Sequence, residues 1–379
     1  MILNALSDSP KEISNLSDSD DTQTLQRLLS QETDLFDAHH AGTTFRFMTA
    51  FLALKKGTQI LTGSERMQQR PIGPLVTALN KLGANISYEN KVGYPPLRIG
   101  DCKVQKSNQI NMRSDISSQF LSALCMIAPT LEKGLILNLE GELVSRPYLE
   151  MTLKMMHVFG VESSYEGNTI HILPQKYVSI DYTVESDWSS ASYLFEVAAL
   201  AEEAEIELTY FTESGLQADA ALMDFCDELG VSADLSSDQV LTLKSTNSCV
   251  KQLDHNFIKH PDLTQTIATI CAAKGINIRY KGLKTLFIKE TDRVAALQAE
   301  LGKVGVLLKP STEKDFEYVQ EGRVEIANPI FDTYQDHRMA MCLAPLGYIA
   351  PVVIKNPEVV SKSYPKYWED LKELGFLID

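Results

Sequence analysis

Along the chain, apolar residues fall at helical spacing, as at Leu75, Val76, Leu79 and Leu82, which would share one face of a helix. Each such helix runs into a glycine that follows an apolar residue: Leu82-Gly83, Phe159-Gly160, Leu229-Gly230, Val304-Gly305 and Leu374-Gly375. The five glycines recur at intervals of roughly 70 to 77 residues, the mark of an internal repeat. Glycine suits the left-handed position just past a helix end. Short alternating runs follow and read as paired strands: Asn85 to Tyr88 with Leu97 to Gly100, Val161 to Tyr165 with Thr169 to Leu173, and Val231 to Leu235 with Val240 to Leu243. A second class of helix, rich in small residues and suited to burial against sheets, begins near Ser117-Ser118-Gln119, Ser189-Ser190-Ala191 and Thr264-Gln265-Thr266. The pattern predicts a mixed α/β (α+β) fold of similar βα units, not one continuous doubly wound sheet. An incomplete first unit would occupy residues 1–35.

At 379 residues the chain exceeds one ordinary core, so two domains are expected. No long linker divides them. A fresh strand-then-helix begins near Tyr182 to Ser186, and the boundary is set there, giving domains 1–183 and 184–379. Helices are also expected over Thr22 to Leu29 and Phe47 to Leu54. Met1 to Leu6 resembles the last turns of a helix, too short to hold without a preceding turn.

An apolar fraction of 44% and a charged fraction of 22% are those of a soluble globular protein. No apolar run is long enough for a membrane span, and no leader segment is evident. Six scattered cysteines lack metal-ligand spacing and read as core residues of a reducing compartment. The expectation is a cytoplasmic protein without a metal. His39 and His40 are neighbours and cannot easily face one ion. A formal charge of −15 argues against a nucleic-acid surface and makes local clusters of Arg and Lys more informative.

Those clusters stand where helices begin. Arg66 and Arg70 lie in Leu61 to Gly73, with Pro71 placed as a first-turn proline ahead of the helix at Leu75. Free N–H groups and the dipole at a helix start favour anions, and guanidinium groups can grip carboxylate or phosphate oxygens in a fork. The alternative is a solvated loop. Arg46, Arg293, Arg338 and Lys362 also flank or begin expected helices. Together they would make an anion-attracting cleft. Asp262, in His260-Pro261-Asp262, is either a helix N-cap or a general base. Glu290, in Lys289-Glu290-Thr291-Asp292-Arg293, is either part of a salt-bridged surface turn or an acid tuned by neighbouring cations.

On these motifs the chain resembles the 5-enolpyruvylshikimate-3-phosphate synthase family over nearly its whole length. The matching stretches are Ala41-Gly42-Thr43 with Arg46, Leu61 to Gly73, Ser117-Ser118-Gln119, Ser145-Arg146-Pro147-Tyr148, Pro261-Asp262, Lys289 to Arg293, Asp336 to Ala340, and Lys362. The resemblance implies two similar domains, each of three βαβαββ units. It implies transfer of the enolpyruvyl group of phosphoenolpyruvate to the 5-hydroxyl of shikimate 3-phosphate, with phosphate released and no metal or cofactor. His40, Gly42, Arg66, Gln119, Arg293, Arg338 and Lys362 would hold phosphoenolpyruvate. Ser117, Ser118, Gln119, Ser145, Tyr148, Asp262, Thr285 and Lys289 would hold shikimate 3-phosphate. Asp262 would take the hydroxyl proton and Glu290 would protonate the methylene carbon. Relatives suggest a monomer.

The chain departs from the family at His40 and Thr285, where asparagine is usual. A Gly-Ser-Lys-Ser…Asn-Arg stretch that opens the family has no match here, and alignment through Asn15 to Asp21 places Met1 just beyond it. The expectation is impaired activity with the fold retained. Two other readings fit the scaffold: an enolpyruvyl transferase acting on a UDP-amino sugar, whose reactive-cysteine loop is not recognisable around Cys102 or Cys125, and a non-catalytic anion-binding relative.

Overall fold

The computed structural model describes residues 1–100, 104–113, 117–141, 146–246, 248–312, 315–325 and 328–379. The chain forms two compact units, Met1–Val184 and Glu185–Asp379, each with its own apolar core.

In Met1–Val184 the repeat is plain. Strand Leu35–Asp37 leads through helix Gly42–Leu52 to the parallel strand Thr58–Thr62, with Leu35 opposite Ile60. Helix Gly73–Leu82 then returns to a hairpin, Asn85–Tyr88 and Leu97–Gly100, whose second strand pairs antiparallel with Thr58–Thr62. The same βαβαββ course runs through Gln109–Arg113, Ser118–Ile127, Leu135–Glu140, Arg146–Val158, Ser164–Glu166 and Thr169–Ile172. A short parallel pair, Ile13–Ser14 with Tyr182–Thr183, ties the beginning of the unit to its end. The inward faces of the helices and the alternate strand residues supply one core, including Phe36, Phe45, Leu79, Leu121 and Leu137.

In Glu185–Asp379 the fullest copy is Gln252–Asn256, Thr264–Lys274, Asn277–Lys281, Arg293–Gly302, Leu307–Pro310 and Tyr318–Glu321. Ahead of it, helix Trp188–Leu200 packs on the antiparallel sheet Glu205–Thr209, Val240–Ser245 and Val231–Leu235. After it come Ile330–Phe331, His337–Leu343, the parallel strand Val353–Ile354 and Tyr367–Glu373. Helices Trp188–Leu200 and Thr264–Lys274 are buried nearly all round, so small side chains serve them better than an amphipathic stripe. Gly230 and Gly275 sit left-handed at helix ends, the conformation that a side chain resists.

Three local expectations are corrected. The helix after Arg70 starts at Gly73 with Pro74 in its first turn, and Pro71 precedes it. Glu65–Gln68 is a separate short helix capped by Ser64, so Arg66 lies within a helix and not at the mouth of the next. The stub near Met1 does form a helical turn, Ile2–Ala5. Ile2 and Leu3 are buried in the core, and Asn4 exchanges two hydrogen bonds with Lys11, so tertiary contacts hold this short turn. Among the described residues no helix is long and apolar enough to cross a membrane.

Candidate active site

In Glu185–Asp379, four segments bring charged side chains together. Asp262 stands on the 3-10 turn Pro261–Leu263, which leads into helix Thr264–Lys274. The N-cap position of that helix falls to Leu263, and the Asp262 carboxylate binds cations. Arg293 Nη1 donates to Oδ1 at 2.9 Å, Arg338 Nη2 donates to Oδ2 at 3.0 Å, and Lys289 Nζ lies 3.6 Å from Oδ1. Burial acts to raise the Asp262 pKa, but the charges of Arg338, Lys289 and Arg293 override it and hold the carboxyl far below the usual range.

Arg293 is the hub. It begins helix Arg293–Gly302, whose N-cap Asp292 accepts from Ala295 N–H at 3.0 Å, and its side chain is 2% exposed. Besides Asp262 it reaches Glu290 Oε2 at 3.0 Å through Nη2, and Asp336 Oδ2 at 2.8 Å through Nε. Burial alone would lower its pKa; Asp336, Glu290 and Asp262 together raise it. Asp336 is fully buried and caps helix His337–Leu343 by accepting from Arg338 N–H at 3.0 Å. One carboxylate thus orients Arg293 and fixes the helix start from which Arg338 projects. Arg338 Nη1 also donates to the buried Tyr193 hydroxyl at 3.1 Å.

Glu290 completes the group. Lys362, at the end of the 3-10 segment Pro357–Lys362, donates a hydrogen bond to Glu290 Oε1. Burial pushes the Glu290 carboxyl up, while Arg293 and Lys362 pull it well below its ordinary value. The cluster is salt-bridged and partly buried, anchored on Arg293, whose side chain is 2% exposed, with Glu290 at 20%. His337, buried beside it, is held neutral: burial, then the charge of Lys362, lowers its pKa to about 3. Thr285, on the 3-10 segment Leu283–Ile288, has a buried hydroxyl without a hydrogen-bond partner among the described residues.

In Met1–Val184 a second group surrounds the start of helix Gly42–Leu52. Gln119 Nε2 donates to Thr43 Oγ1 at 2.8 Å. Arg46 is buried, donates to Gly42 O at 2.8 Å and lies over the Phe120 ring. A Cβ added at Gly42 would stand 2.6 Å from Arg70 Nη1, so the glycine lets a guanidinium approach the backbone. His40 Nδ1 lies 2.9 Å from Ser64 Oγ. Arg66 is exposed, with Nη1 3.5 Å from Gln69 Oε1. Ser117 and Ser118 open helix Ser118–Ile127, while Tyr148 lies in the first turn of Arg146–Val158. Ser145 and Cys102 lie outside the described residues. Cys125, Cys226, Cys271 and Cys342 are buried and Cys249 is exposed. Among the described residues no group of His, Cys, Asp and Glu is arranged to hold a metal.

Sequence reasoning did not single out Tyr193, which bonds Arg338, or Asp219 and Ser189, which bond each other on segments beside this group. Tyr193 stands on one of the small-residue helices, where its hydroxyl could have signalled a buried partner; Asp219 carries no comparable signal. Asp336 was visible as part of Asp336 to Ala340, but not as the anchor of Arg293.

The family model described as EPSP synthase (3-phosphoshikimate 1-carboxyvinyltransferase) matches residues 1–371. A 3-phosphoshikimate 1-carboxyvinyltransferase of Bacteroides fragilis (strain YCH46) is 43% identical over 378 residues, covering 99% of this chain and 92% of the relative. One from Vibrio atlanticus (strain LGP32) is 38% identical over 342 residues, covering 89% and 78%. The solved structure of EPSP synthase from Acinetobacter baumannii superposes with a TM-score of 0.78 at 19% identity, covering 97% of this chain and 90% of that one, and shares the fold. With the family model matched almost end to end and relatives this similar, the chain belongs to the EPSP synthase family.

Proposed function

We propose that this chain transfers the enolpyruvyl group of phosphoenolpyruvate to the 5-hydroxyl of shikimate 3-phosphate and releases phosphate, with Asp262 as base and Glu290 as acid. The observation that carries the reading is the pairing of Asp262 and Glu290 with Arg293, Arg338 and Lys362. In that state Asp262 is too weak a base and Glu290 is ionised, so neither can do its work. An incoming carboxylate or phosphate competes for the same cations. Once the cations turn to the substrate, the burial of both carboxyls is no longer offset and their proton affinities rise. Substrate binding thereby switches on the groups it needs.

The chemistry then balances. The 5-hydroxyl oxygen attacks C2 of phosphoenolpyruvate and its proton passes to Asp262. Protonated Glu290 delivers its proton to the methylene carbon, giving a tetrahedral adduct. Phosphate then leaves with the proton held on Asp262, and a methyl proton returns to Glu290, which regenerates the double bond and restores both carboxyl groups. Arg293, Arg338 and Lys362 hold the anionic groups in place, and in the first unit His40, Gly42, Arg66 and Gln119 serve phosphoenolpyruvate. Ser117, Ser118, Gln119, Ser145, Tyr148, Thr285 and Lys289 serve shikimate 3-phosphate. This assignment follows the family resemblance together with the grouping of charges described above. We read the protein as a cytoplasmic monomer.

The test is phosphate release from phosphoenolpyruvate with shikimate 3-phosphate, beside a parallel assay with a UDP-amino sugar as acceptor. Release with the first acceptor is expected, and release only with the sugar would overturn the substrate assignment. Asp262→Asn should lower turnover by a factor of about 10² or more. Unchanged turnover would remove Asp262 as the base.

A further inference from the structure

The 3-10 segment Ala218–Phe225 packs against the turn Pro261–Leu263 that carries Asp262. Near the start of that segment, Asp219 is 4% exposed. The Ser189 hydroxyl donates a hydrogen bond to Asp219 Oδ2, while Oδ1 is buried and has no hydrogen-bond partner among the described residues. A carboxylate solvated on one oxygen only is costly as an anion and cheap as an acid. The charges that face it are Asp262 on the adjoining turn, Arg338 on helix His337–Leu343, and Asp187, the N-cap of the helix that carries Ser189. Burial, then the Asp262 charge, pushes Asp219 up to about 7, against the opposing pull of Arg338 and Ser189.

We infer that Asp219 is a positioning residue for the reaction proposed above: a second acid, coupled to Asp262 across Arg338, whose ionisation sets how strongly Asp262 accepts a proton. The inference rests on that functional reading. With Asp219 protonated, Asp262 is the carboxylate that Arg338 bonds, at 3.0 Å, and the pair holds Asp262 as a weak base. An ionised Asp219 adds a like charge beside Asp262 and an additional attraction on Arg338. Like charges raise each other's proton affinity, so Asp262 becomes the stronger base. When Asp262 then takes the hydroxyl proton, its own charge disappears and Asp219 is favoured as an anion. Asp219 thus begins and ends the step ionised, and the proton moves only from the hydroxyl to Asp262.

The experiment pairs infrared difference titration of the full chain with the pH dependence of kcat. The wild type should show a protonated-carboxyl carbonyl band that titrates near about 7 and is missing in Asp219→Asn. In Asp262→Asn that band should titrate at lower pH, because the charge that raises it is gone. In the phosphate-release assay kcat of the wild type should climb through the same pH range. Asp219→Asn should lose that limb and about tenfold in kcat above it, with KM changed by no more than about twofold. Ser189→Ala, which removes only the bond favouring the ionised form, should move the limb to higher pH, and it decides the matter if the Asn variant does not fold. Absence of the band, a band unmoved in Asp262→Asn, or an Asp219→Asn profile lowered uniformly with its limb intact would each overturn the inference. If the wild type releases no phosphate, the functional reading fails, and the infrared midpoints alone decide whether Asp219 and Asp262 are coupled.

Discussion

Replacing Arg293 by methionine removes a charge but keeps most of the side chain's length, and the structure states what is left behind. Asp262 retains Arg338 and Lys289, and Glu290 retains Lys362. Asp336 fares worse. It is fully buried, Arg293 is the cation that bonds it among the described residues, and its neighbour His337 is held neutral. Leaving one partner of a buried pair uncompensated costs about 3–5 kcal/mol, and Asp336 should account for most of that. The pH dependence identifies the cause. In the wild type burial is outweighed by Arg293, so the folded pKa of Asp336 lies below its unfolded value. That contribution is present above the unfolded pKa and lost as pH falls through the folded one. Without Arg293, burial should drive the folded pKa above the unfolded value, so the variant gains relative stability as pH falls.

Trp188 and Trp368 both lie in Glu185–Asp379, and the chain has two tryptophans, so their fluorescence reports this unit alone. Urea titrations of wild type and Arg293→Met at pH 5 and pH 8 should show a loss of about 3–5 kcal/mol at the higher pH and a smaller one at the lower. Adding Asp336→Asn to Arg293→Met should restore part of the loss. A deficit equal at both pH values, or one that Asp336→Asn deepens, would refute the reasoning.

Three further outcomes are expected. Gly42→Ala places a methyl group 2.6 Å from Arg70 Nη1 and 3.0 Å from Nη1 of the buried Arg46, so the KM for phosphoenolpyruvate should rise and the thermal midpoint should fall slightly. Glu196 is fully buried, and burial, against the opposing pull of the Thr269 hydroxyl, holds its pKa well above the ordinary value. The wild type therefore loses stability as pH rises above the unfolded pKa, and Glu196→Gln should gain on it by up to about 1.4 kcal/mol per pH unit in tryptophan-monitored urea melts. His260 Nε2 lies 2.6 Å from His255 Nε2, and burial, followed by His255 and Lys259, lowers its pKa to about 4. Its stabilising contribution is present above the unfolded value near about 6.5 and lost as pH falls towards 4, so His260→Gln should flatten that part of the acid-denaturation curve.

The repeat was legible because it rests on local physics. A helix that ends at a left-handed glycine and is followed by an alternating hairpin leaves its signature within one stretch of chain. Asn85–Tyr88, Leu97–Gly100 and Val231–Leu235 fall where the alternation predicted them. Boundaries failed where tertiary contacts outvoted local signals. Pro71 looked like a helix start, yet Pro74 takes that place, and helix Gly42–Leu52 begins five residues before Phe47 because burial of Phe45 and Arg46 extends it. The stretch Ala218–Phe225 was unreadable for a similar reason: it is a 3-10 segment, and its Asp219 matters only through residues distant in sequence.

Segments bearing charge were also legible, since Arg, Lys and Asp gathered at helix starts in an otherwise acidic chain. Which charge meets which was not, because an ion pair is a property of folded distance. The observed pairing has a consequence that a list of basic residues would miss. Arg293, Arg338, Lys289 and Lys362 do not wait as unpaired positive charges; each is engaged by Asp262 or Glu290. An anion entering this site exchanges partners instead of meeting bare cations, so much of its attraction is spent displacing carboxylates. A simple anion gains little from that exchange. On the function proposed above, a ligand that also offers Asp262 a proton and draws one from Glu290 turns the displaced carboxylates into the reacting groups, and it is the ligand for which the exchange leads to chemistry.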